Sequence, residues 1–381
     1  MNRIPFNVPY RAPFESEYIH QAIAAGLHSG SGAFHHACRD LLAKTIGGGP
    51  IFLTTSGTAA LELATLAANI SDGDEVVMPS FTFPSTANAV VLRGGRPVFV
   101  DVDATNFNID PDALAAAVTD RTRAVIVVHY GGVTCDMDRI LAITRRHGLV
   151  LIEDAAHAIG SSLDGRPAGS FGDYAAFSFH HSKNVTCGEG GCLVVNDRGH
   201  AARVEILYEK GTDRRRFEAG FVDKYKWVDV GSSYVLGELN AAMLLAQLEC
   251  LDAITRARHR ICQQYDAFFR NHAIADRFGC PDLRPAAISN GHLYPVVLGT
   301  AEERTAFLDW MGRHGISALS HYVPLHSAPA GRRFGRVAGS MHVTDSVAER
   351  LVRLPLYPSL APHVERVTNA MRSWMERMSR P

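Results

Sequence analysis

The chain has 381 residues, more than one hydrophobic core usually supports, so we expect one large and one smaller domain. Hydrophobic residues make up 46% and charged residues 20%, which is the profile of a folded, soluble enzyme. The formal net charge is −1 and no dense tract of Lys and Arg occurs, which argues against binding to nucleic acid or to a membrane surface.

The seven cysteines are scattered, odd in number and without a CxxC pair, so we expect neither a disulfide framework nor a metal site. The first residues lack the long apolar core of a signal peptide. No apolar run approaches the roughly 18 residues that a membrane span needs. We therefore expect a cytoplasmic protein.

The first part of the chain predicts an arm followed by an α/β domain. Residues 1–15 hold three prolines and predict an extended arm that could lie on a partner subunit. Helical patterns follow at 16–27 and 35–46. From residue 51 strands alternate with helices, which predicts a parallel sheet covered by helices. The predicted strands are 51–53, 75–78, 97–100, 124–129, 149–153, 174–179 and 192–195. The predicted helices are 57–69, 84–93, 111–119, 137–147 and 199–209.

The second part of the chain predicts a smaller domain. Residues 211–234 are polar and aromatic without a clear period, and a structureless loop of that length is usually functional. A helical pattern then runs from about 236 to 269 and leaves the large domain. A strand at 293–298 and a helix at 301–314 suit a small α+β domain. The expected divisions are an arm at 1–15, a large domain at 16–245 and a small domain at 246–381.

One lysine, Lys183, lies in a polar turn between the apolar run Tyr174–Phe179 and a Gly-rich bend. A lysine held and desolvated in such a turn could act as a neutral amine, which attack on a carbonyl requires. An ordinary surface lysine is the alternative, since lysine is usually exposed.

A second stretch, Leu149–His157, is an apolar strand that ends in an acid followed by small residues. Pyridoxal phosphate needs a lysine and usually a carboxylate beside its pyridine nitrogen, and Asp154 could supply that carboxylate. An acid at a strand end can also be a simple helix N-cap.

A third stretch, Thr54–Ala64, places small hydroxyl residues and a glycine at the start of an amphipathic helix. Unpaired amides and the helix dipole make such a start a candidate phosphate site, although plain N-capping is common. Phe83, in a later loop, could lie flat on a cofactor ring, although a loop aromatic is more often part of the core.

Taken together, these stretches resemble the sugar aminotransferases of the DegT/DnrJ/EryC1/StrS family, from Ile4–Asn7 through Leu354–Tyr357. The resemblance implies an α/β fold of the aspartate-aminotransferase type (PLP fold type I), with a large, mostly parallel sheet domain and a small C-terminal α+β domain. It also implies pyridoxal 5'-phosphate as the cofactor, and a homodimer whose active sites are shared between subunits.

The family's motifs imply roles for individual residues. Lys183 holds the cofactor as a Schiff base and afterwards moves a proton between the cofactor and the sugar carbon, so it is catalytic together with Asp154, the partner of the pyridine nitrogen. His157 takes the position that reaches the ring hydroxyl, with a packing histidine as the alternative. Phe83 is implied to stack on the ring, with Phe81 as the core alternative.

The same motifs imply where the cofactor phosphate binds. Gly57 and Thr58 would contact it through backbone amides and a hydroxyl, and Ser178 would add a second hydroxyl. Ser233 stands where many family members carry an Asn that reaches the phosphate of the partner subunit. Its side chain is shorter, which puts that cross-subunit contact in doubt.

The substrate expectation rests on the resemblance alone. His321, Tyr322 and His326 match a stretch near the sugar-nucleotide end of the site, although they could equally be structural. The stretches Glu209–Thr212 and Val222–Tyr234 are most similar to members that make dTDP-4-amino-4,6-dideoxygalactose. They imply amination of dTDP-4-keto-6-deoxyglucose at carbon 4, with L-glutamate as the donor.

Three other functions remain as alternatives. One is a transaminase for another sugar position or nucleotide. Another is a sugar dehydratase, although relatives of that kind carry His at the position that motif spacing assigns to Lys183. A non-enzymatic cofactor-binding protein would be expected to lose Lys183 or Asp154, and both are present.

Overall fold

The computed structural model describes residues 3–271 and 287–378, and Cys280 lies outside the described residues. The helices are α1 Glu15–Ala25, α2 Ala33–Ile46, α3 Gly57–Ala67, α4 Pro84–Val91, α5 Pro111–Ala117, α6 Met137–His147, α7 Ala201–Tyr208, α8 Arg214–Glu218, α9 Glu238–Glu249, α10 Leu251–Asn271, α11 Ala301–Arg313, α12 Pro329–Phe334, α13 His342–Arg350 and α14 Val364–Met378. The strands are β1 Ile51–Thr54, β2 Glu75–Pro79, β3 Arg96–Val100, β4 Thr122–Val128, β5 Val150–Asp154, β6 Ser162–Leu163, β7 Arg166–Pro167, β8 Tyr174–Ser178, β9 Gly191–Val195, β10 Ala287–Ile288, β11 Tyr294–Val297, β12 Arg336–Val337 and β13 Leu351–Leu354. Within these ranges no helix is both long and apolar enough to cross a membrane.

An eight-stranded sheet forms the centre of the protein, in the order β1-β9-β8-β5-β4-β2-β3-β12. Across the sheet, each strand in the run β8-β5-β4-β2-β3-β12 is parallel to its neighbour. Strand β9 runs antiparallel to both β1 and β8. Its strands are short apolar runs buried on both faces, as in Val125–Val127. The carboxyl ends of β1, β8, β5, β4 and β2 meet at one edge, where open α/β sheets place ligands. The predicted α/β fold with a mostly parallel sheet is confirmed.

The helices that cover the sheet begin and end at local sequence signals. Ser56 accepts a hydrogen bond from the backbone amide of Ala59 at the start of α3, and Asp136 caps α6 in the same way. Gly148 ends α6 with a φ of 62°, a left-handed conformation that glycine adopts without strain. Such signals explain why the helices and strands predicted up to residue 209 lie within two residues of their predicted bounds.

A second hydrophobic core lies in the C-terminal part of the chain. There α10, α11 and α14 pack around the two-stranded sheet of β11 and β13, with Phe307 and Met371 fully buried. Ile4 of the arm is buried in this core and pairs with Ile316, so the arm packs on its own chain at this point. The short strand β12 instead adds to the edge of the large sheet, beside β3. The division at residue 245 stays a prediction.

Two segments differ from their predicted form. The helix predicted over 236–269 is two helices, α9 and α10, which meet at Cys250 without a Pro or Gly at the break. The segment 211–234 is not wholly structureless, because α8 lies within it. Several of its large apolar side chains are exposed: Phe221 is 76% exposed and Trp227 is 81% exposed.

Candidate active site

A cavity of about 610 Å³ opens at the carboxyl edge of the large sheet. Its walls come from the turns after β1, β2, β5 and β8, and from the small core on the opposite side. The arm also reaches it, through Phe6 and Asn7. Nine of the sequence-predicted site residues line it: Gly57, Thr58, Phe83, Asp154, His157, Ser178, Lys183, His321 and Tyr322.

Lys183 lies in the tight turn that follows β8, where its backbone amide donates to the carbonyl of His180 at 2.9 Å. The side chain is half-buried and lines the cavity. Burial lowers the pKa of its amine to about 8, although the nearby Asp154 carboxylate opposes the change. An appreciable fraction of this amine is therefore uncharged near neutral pH, which is the form that attacks a carbonyl.

Asp154 ends β5 and is only 5% exposed. One of its oxygens accepts from the hydroxyl of Thr86 at 2.8 Å, and the other accepts from the backbone amide of Ala156 at 3.2 Å. No cation lies within ion-pair distance of it among the residues that the structure describes. Burial raises the pKa of this carboxyl, so a positive charge brought into the cavity would be strongly attracted.

The preceding acid, Glu153, points away from the cavity because neighbouring residues of a strand face opposite sides. Its oxygens accept from the ring Nε2–H of His129 at 2.8 Å and from the backbone amides of Gly169, Phe171 and Gly172. The carboxylate of Glu153 is thus hydrogen-bonded inside the fold. Of the two acids that end this strand, only Asp154 lines the cavity.

His157 lies beside Asp154 on the turn after β5. Its Nδ1 accepts from the backbone amide of Gly131 at 3.3 Å, and its ring stacks on that of His292 with centroids 4.3 Å apart. Burial lowers the pKa of His157 well below its ordinary value, and the charge of Lys183 acts in the same direction. A neutral imidazole at this place can donate a hydrogen bond to a ligand hydroxyl or accept one from it.

The first turn of α3 faces the cavity opposite Asp154. The N-terminal amides of a helix have no acceptors within the helix, so they attract an anion. Thr58 and Ser85 share a hydroxyl hydrogen bond of 2.7 Å beside these amides. A Cβ on Gly57 would lie 2.8 Å from the Cβ of Ser178, so glycine lets the helix start approach the end of β8. Gly57, Thr58 and Ser178 thus form one concave wall.

Phe83 precedes α4 and presents its ring to the cavity, with 57% of its surface exposed. Phe81 is 1% exposed and packs in a cluster of aromatic rings, as predicted for the core alternative. The ring of Phe83 lies 6.5 Å from that of Tyr322. An exposed aromatic face in a cavity wall suits a flat ligand ring.

Two predicted residues do not join the others. The hydroxyl of Ser80 lies 2.8 Å from Nδ1 of His326, whose Nε2 is 3.3 Å from Asp345, so His326 is held outside the cavity. Ser233 is exposed, its backbone pairs with that of the buried Glu209, and it does not line the cavity. The substrate role of His326 and the cross-subunit role of Ser233 stay predictions.

Several cavity residues were missed by the sequence reasoning. Arg258 is buried on α10 and donates to the backbone carbonyls of Gly291 and His292. Arg353 lies on β13 and also lines the cavity. Arginine is common on amphipathic helices and on strands, so neither residue type nor spacing marks these two as cavity residues. Only the packing of the small core against the sheet edge brings them there.

The residues present fit pyridoxal phosphate. A buried acid that pairs with no cation in the described part of the chain suits the ring nitrogen, and a half-buried amine of lowered pKa suits the aldehyde carbon. The start of α3 with its hydroxyls suits the phosphate, and the exposed face of Phe83 suits the ring.

The chain is similar over nearly its whole length to proteins already described. SpsC of Bacillus subtilis (strain 168), a spore coat polysaccharide biosynthesis protein, is 34% identical over 97% of this chain and 96% of its own. The aminotransferase TlmJ of Streptoalloteichus hindustanus is 29% identical and superposes with a TM-score of 0.91 over 99% of this chain and 100% of that one. The PLP form of Spr1654 of Streptococcus pneumoniae, described as a sugar aminotransferase, is 25% identical with a TM-score of 0.90 over 98% of this chain and 99% of that one.

A family-wide comparison gives the same result. The sequence model of the DegT/DnrJ/EryC1/StrS aminotransferases matches residues 11–372. The match spans the large sheet, the cavity and the small core, and the solved aminotransferase structures share the fold. The chain therefore belongs to the DegT/DnrJ/EryC1/StrS aminotransferase family, whose cofactor is pyridoxal phosphate.

Proposed function

We propose that the protein moves the amino group of L-glutamate onto carbon 4 of dTDP-4-keto-6-deoxyglucose and so makes dTDP-4-amino-4,6-dideoxygalactose. Glutamate leaves as 2-oxoglutarate while the sugar ketone becomes a primary amine, so the exchange needs no external oxidant. The observation that carries the proposal is one cavity that contains both the amine of Lys183 and the buried carboxylate of Asp154.

Bound pyridoxal phosphate supplies an electron-accepting ring and an aldehyde that takes up the amino group. Lys183 would hold that aldehyde and, once released, would carry a proton to and from the reacting carbon. The lowered pKa of Lys183, about 8, suits both tasks, because the amine can lose and regain its proton near neutral pH. The same side chain thus serves as anchor and as acid–base group.

The other residues would hold the cofactor in one orientation. Asp154 is kept in place by Thr86 and by the amide of Ala156, and next to a protonated ring nitrogen its pKa would fall. Neutral His157 would meet the ring hydroxyl. The start of α3 would hold the phosphate at the far end. Fixing both ends would keep the reacting carbon within reach of Lys183.

Two lines support a nucleotide-linked sugar as acceptor. Spr1654 is described as a sugar aminotransferase, and SpsC as a spore coat polysaccharide biosynthesis protein. The segment 211–234 exposes Phe221, Tyr225 and Trp227 together with Arg and Lys side chains. Basic groups suit a diphosphate, and aromatic faces suit a sugar or a base. Lys183, where dehydratase relatives carry His, favours transamination over dehydration.

Proton NMR of the product tests the proposed sugar chemistry. Purified enzyme, L-glutamate and dTDP-4-keto-6-deoxyglucose are expected to give an axial amine, an expectation that rests on the resemblance to the members that make the 4,6-dideoxygalactose product. A small coupling between the hydrogens on carbons 3 and 4 is the expected signal. A large coupling would mean the gluco product. No product at carbon 4 from dTDP-4-keto-6-deoxyglucose, with product from another keto-sugar nucleotide of a panel, would overturn the assignment.

We further propose a homodimer in the cytoplasm, with each active site completed by the partner. Phe221, Tyr225 and Trp227 are all exposed within one short segment, and we take this segment as an apolar surface that a partner would cover. Ser233 lies at the end of the same segment and does not line its own cavity. A second copy that covers this surface would bring Ser233 to the phosphate wall of the other chain, and the aromatic and basic side chains of the segment to the sugar nucleotide bound there. The six described cysteines are free, which suits a reducing compartment.

A mixed dimer tests the sharing of sites. Lys183→Ala and Ser233→Phe chains are each expected to be nearly inactive alone. Mixed and allowed to exchange, they should recover roughly a quarter of wild-type activity, because half of the dimers are mixed and each has one intact site. Ser232→Phe, at an exposed neighbour, is the control and should stay active. No recovery, or a fully active monomer on sedimentation, would contradict the shared site.

A further inference from the structure

His292 lies in the cavity wall and contacts two other residues there. Its Nδ1 is 2.9 Å from Oδ1 of Asn184, the residue that follows Lys183 in the chain. Its ring stacks on that of His157, with centroids 4.3 Å apart and planes inclined by 29°. One imidazole therefore joins the turn that carries the amine to the side chain that would meet the ring hydroxyl of the cofactor.

The contact with Asn184 fixes the ring proton of His292. The side chain of Asn184 donates from Nδ2 to the carbonyl of Asn290 at 3.1 Å, so its Oδ1 faces His292 and must accept. His292 therefore carries its proton on Nδ1. Burial lowers the pKa of His292 well below its ordinary value, and the charge of Lys183 acts in the same direction, so the ring stays neutral.

The backbone of His292 is also fixed. Its amide donates to Oδ1 of Asn290 at 3.0 Å, and its carbonyl accepts from the guanidinium of Arg258 at 2.8 Å. Asn290 also donates to the backbone carbonyl of His157 at 2.8 Å. All four residues are buried, so these hydrogen bonds form in a region of low dielectric, where they hold side chains strongly. His292 is thus a rigid support for the groups that it contacts.

We propose that His292 is a positioning residue, an inference that rests on the roles proposed for Lys183 and His157. It holds the Lys183 turn through Asn184, and it holds the plane of the His157 ring through stacking. Without the hydrogen bond, the turn would shift and admit water to the amine, whose lowered pKa depends on burial. Without the stacked ring, the imidazole of His157 would rotate away from a ligand hydroxyl. The two contacts therefore serve different parts of the cofactor.

The two contacts can be removed one at a time. His292→Phe keeps a flat ring beside His157 but leaves the buried oxygen of Asn184 without a donor. His292→Asn keeps an amide hydrogen near the place of the Nδ1–H but has no ring to stack. A histidine that only stabilised the fold would lower the melting temperature in both variants, without separating one part of cofactor binding from the other.

Capture of pyridoxal phosphate by cofactor-free protein tests the contact with Asn184. In wild-type protein the rate should rise with pH around the pKa of the Lys183 amine, about 8. His292→Phe is expected to move this midpoint up by about one pH unit, because a better solvated amine has a pKa closer to that of an exposed lysine. His292→Asn should leave the midpoint unchanged. Asn184→Ala should reproduce the shift, because it removes the other side of the same hydrogen bond.

Reversible binding of a cofactor analogue tests the stack on His157. 4-Deoxypyridoxine 5'-phosphate lacks the aldehyde, so calorimetry gives its dissociation constant without a covalent step. The same molecule without the ring hydroxyl is the comparison. His292→Asn is expected to reduce the binding advantage of the hydroxyl by about 3- to 10-fold, the usual effect of losing one neutral hydrogen bond. His292→Phe should keep that advantage.

His35→Phe is the matched control for both measurements. His35 is buried and lies 3.3 Å from the hydroxyl of Tyr208, but it does not line the cavity. Its replacement should lower the melting temperature and leave the midpoint and the hydroxyl advantage as in wild type.

The proposal is overturned if both His292 variants change both measurements, or if neither variant changes either. If His292→Phe fails to fold, an unchanged midpoint in Asn184→Ala would also overturn it. Failure of the proposed function gives different results. Wild-type protein that captures no pyridoxal phosphate would contradict the role of Lys183. Normal capture without any aminated sugar would contradict only the proposed substrate.

Discussion

Lys183→Ala is expected to abolish transamination and the absorbance of covalently held cofactor, while the protein keeps its fold. Alanine has no nitrogen to hold the aldehyde or to carry the proton, so both tasks are lost together. We expect turnover to fall by at least roughly a thousandfold, since covalent and acid–base contributions each reach about 100-fold or more. The measurements are the absorbance spectrum, the steady-state rate and circular dichroism.

The control is Lys44→Ala, which removes an exposed lysine at the end of α2. It should keep the spectrum and the rate. In wild-type protein, borohydride reduction followed by peptide mass spectrometry should locate the cofactor on Lys183. Loading of cofactor-free protein should speed up as pH rises toward about 8 and then level off, because the uncharged amine is the reacting form. Near-normal turnover in Lys183→Ala would show that another residue holds the cofactor.

Much of the fold could be predicted because its signals are local. Strands β4 and β5 are short apolar runs, and a strand buried on both faces needs little else. Caps such as Asp136 and a left-handed Gly148 set helix ends within a turn of sequence. The break between α9 and α10 at Cys250 has no such signal. It is set by packing against two different cores, which a single sequence does not display.

Some residues of the site could likewise be predicted from the sequence, and others could not. Asp154 and Lys183 follow apolar strands, and parallel strands bring their carboxyl ends to one edge, so their meeting could be expected. Arg353 comes from an otherwise apolar strand of the small core, and Phe6 from the arm. Their arrival at the same cavity depends on how the small core docks on the sheet. Periodicity and spacing carry no information about that docking, so neither residue could be predicted.

Asp154→Asn is expected to bind the cofactor and lose most of its activity. The amide is close to isosteric: its oxygen can still accept from the backbone amide of Ala156, and its NH2 group can donate to the hydroxyl of Thr86 instead of accepting from it. It carries no charge, so the ring nitrogen is no longer held protonated and the ring accepts electrons poorly. Removing a buried charged hydrogen-bond partner costs about 2–5 kcal/mol. A fall in kcat of roughly 100- to 1,000-fold is therefore expected, with a small change in cofactor affinity.

Asp101→Asn is the matched control for this variant. Asp101 is 8% exposed, close to the 5% of Asp154, but it accepts hydrogen bonds from Thr344 and lies outside the cavity. Its replacement should lower the melting temperature without lowering kcat, because it removes a buried charge that never meets the cofactor. Asp154→Asn should instead lower kcat without lowering the melting temperature. If the two variants lost stability and rate in the same proportion, the effect of Asp154 would be structural, and wild-type turnover in Asp154→Asn would rule out its electronic role.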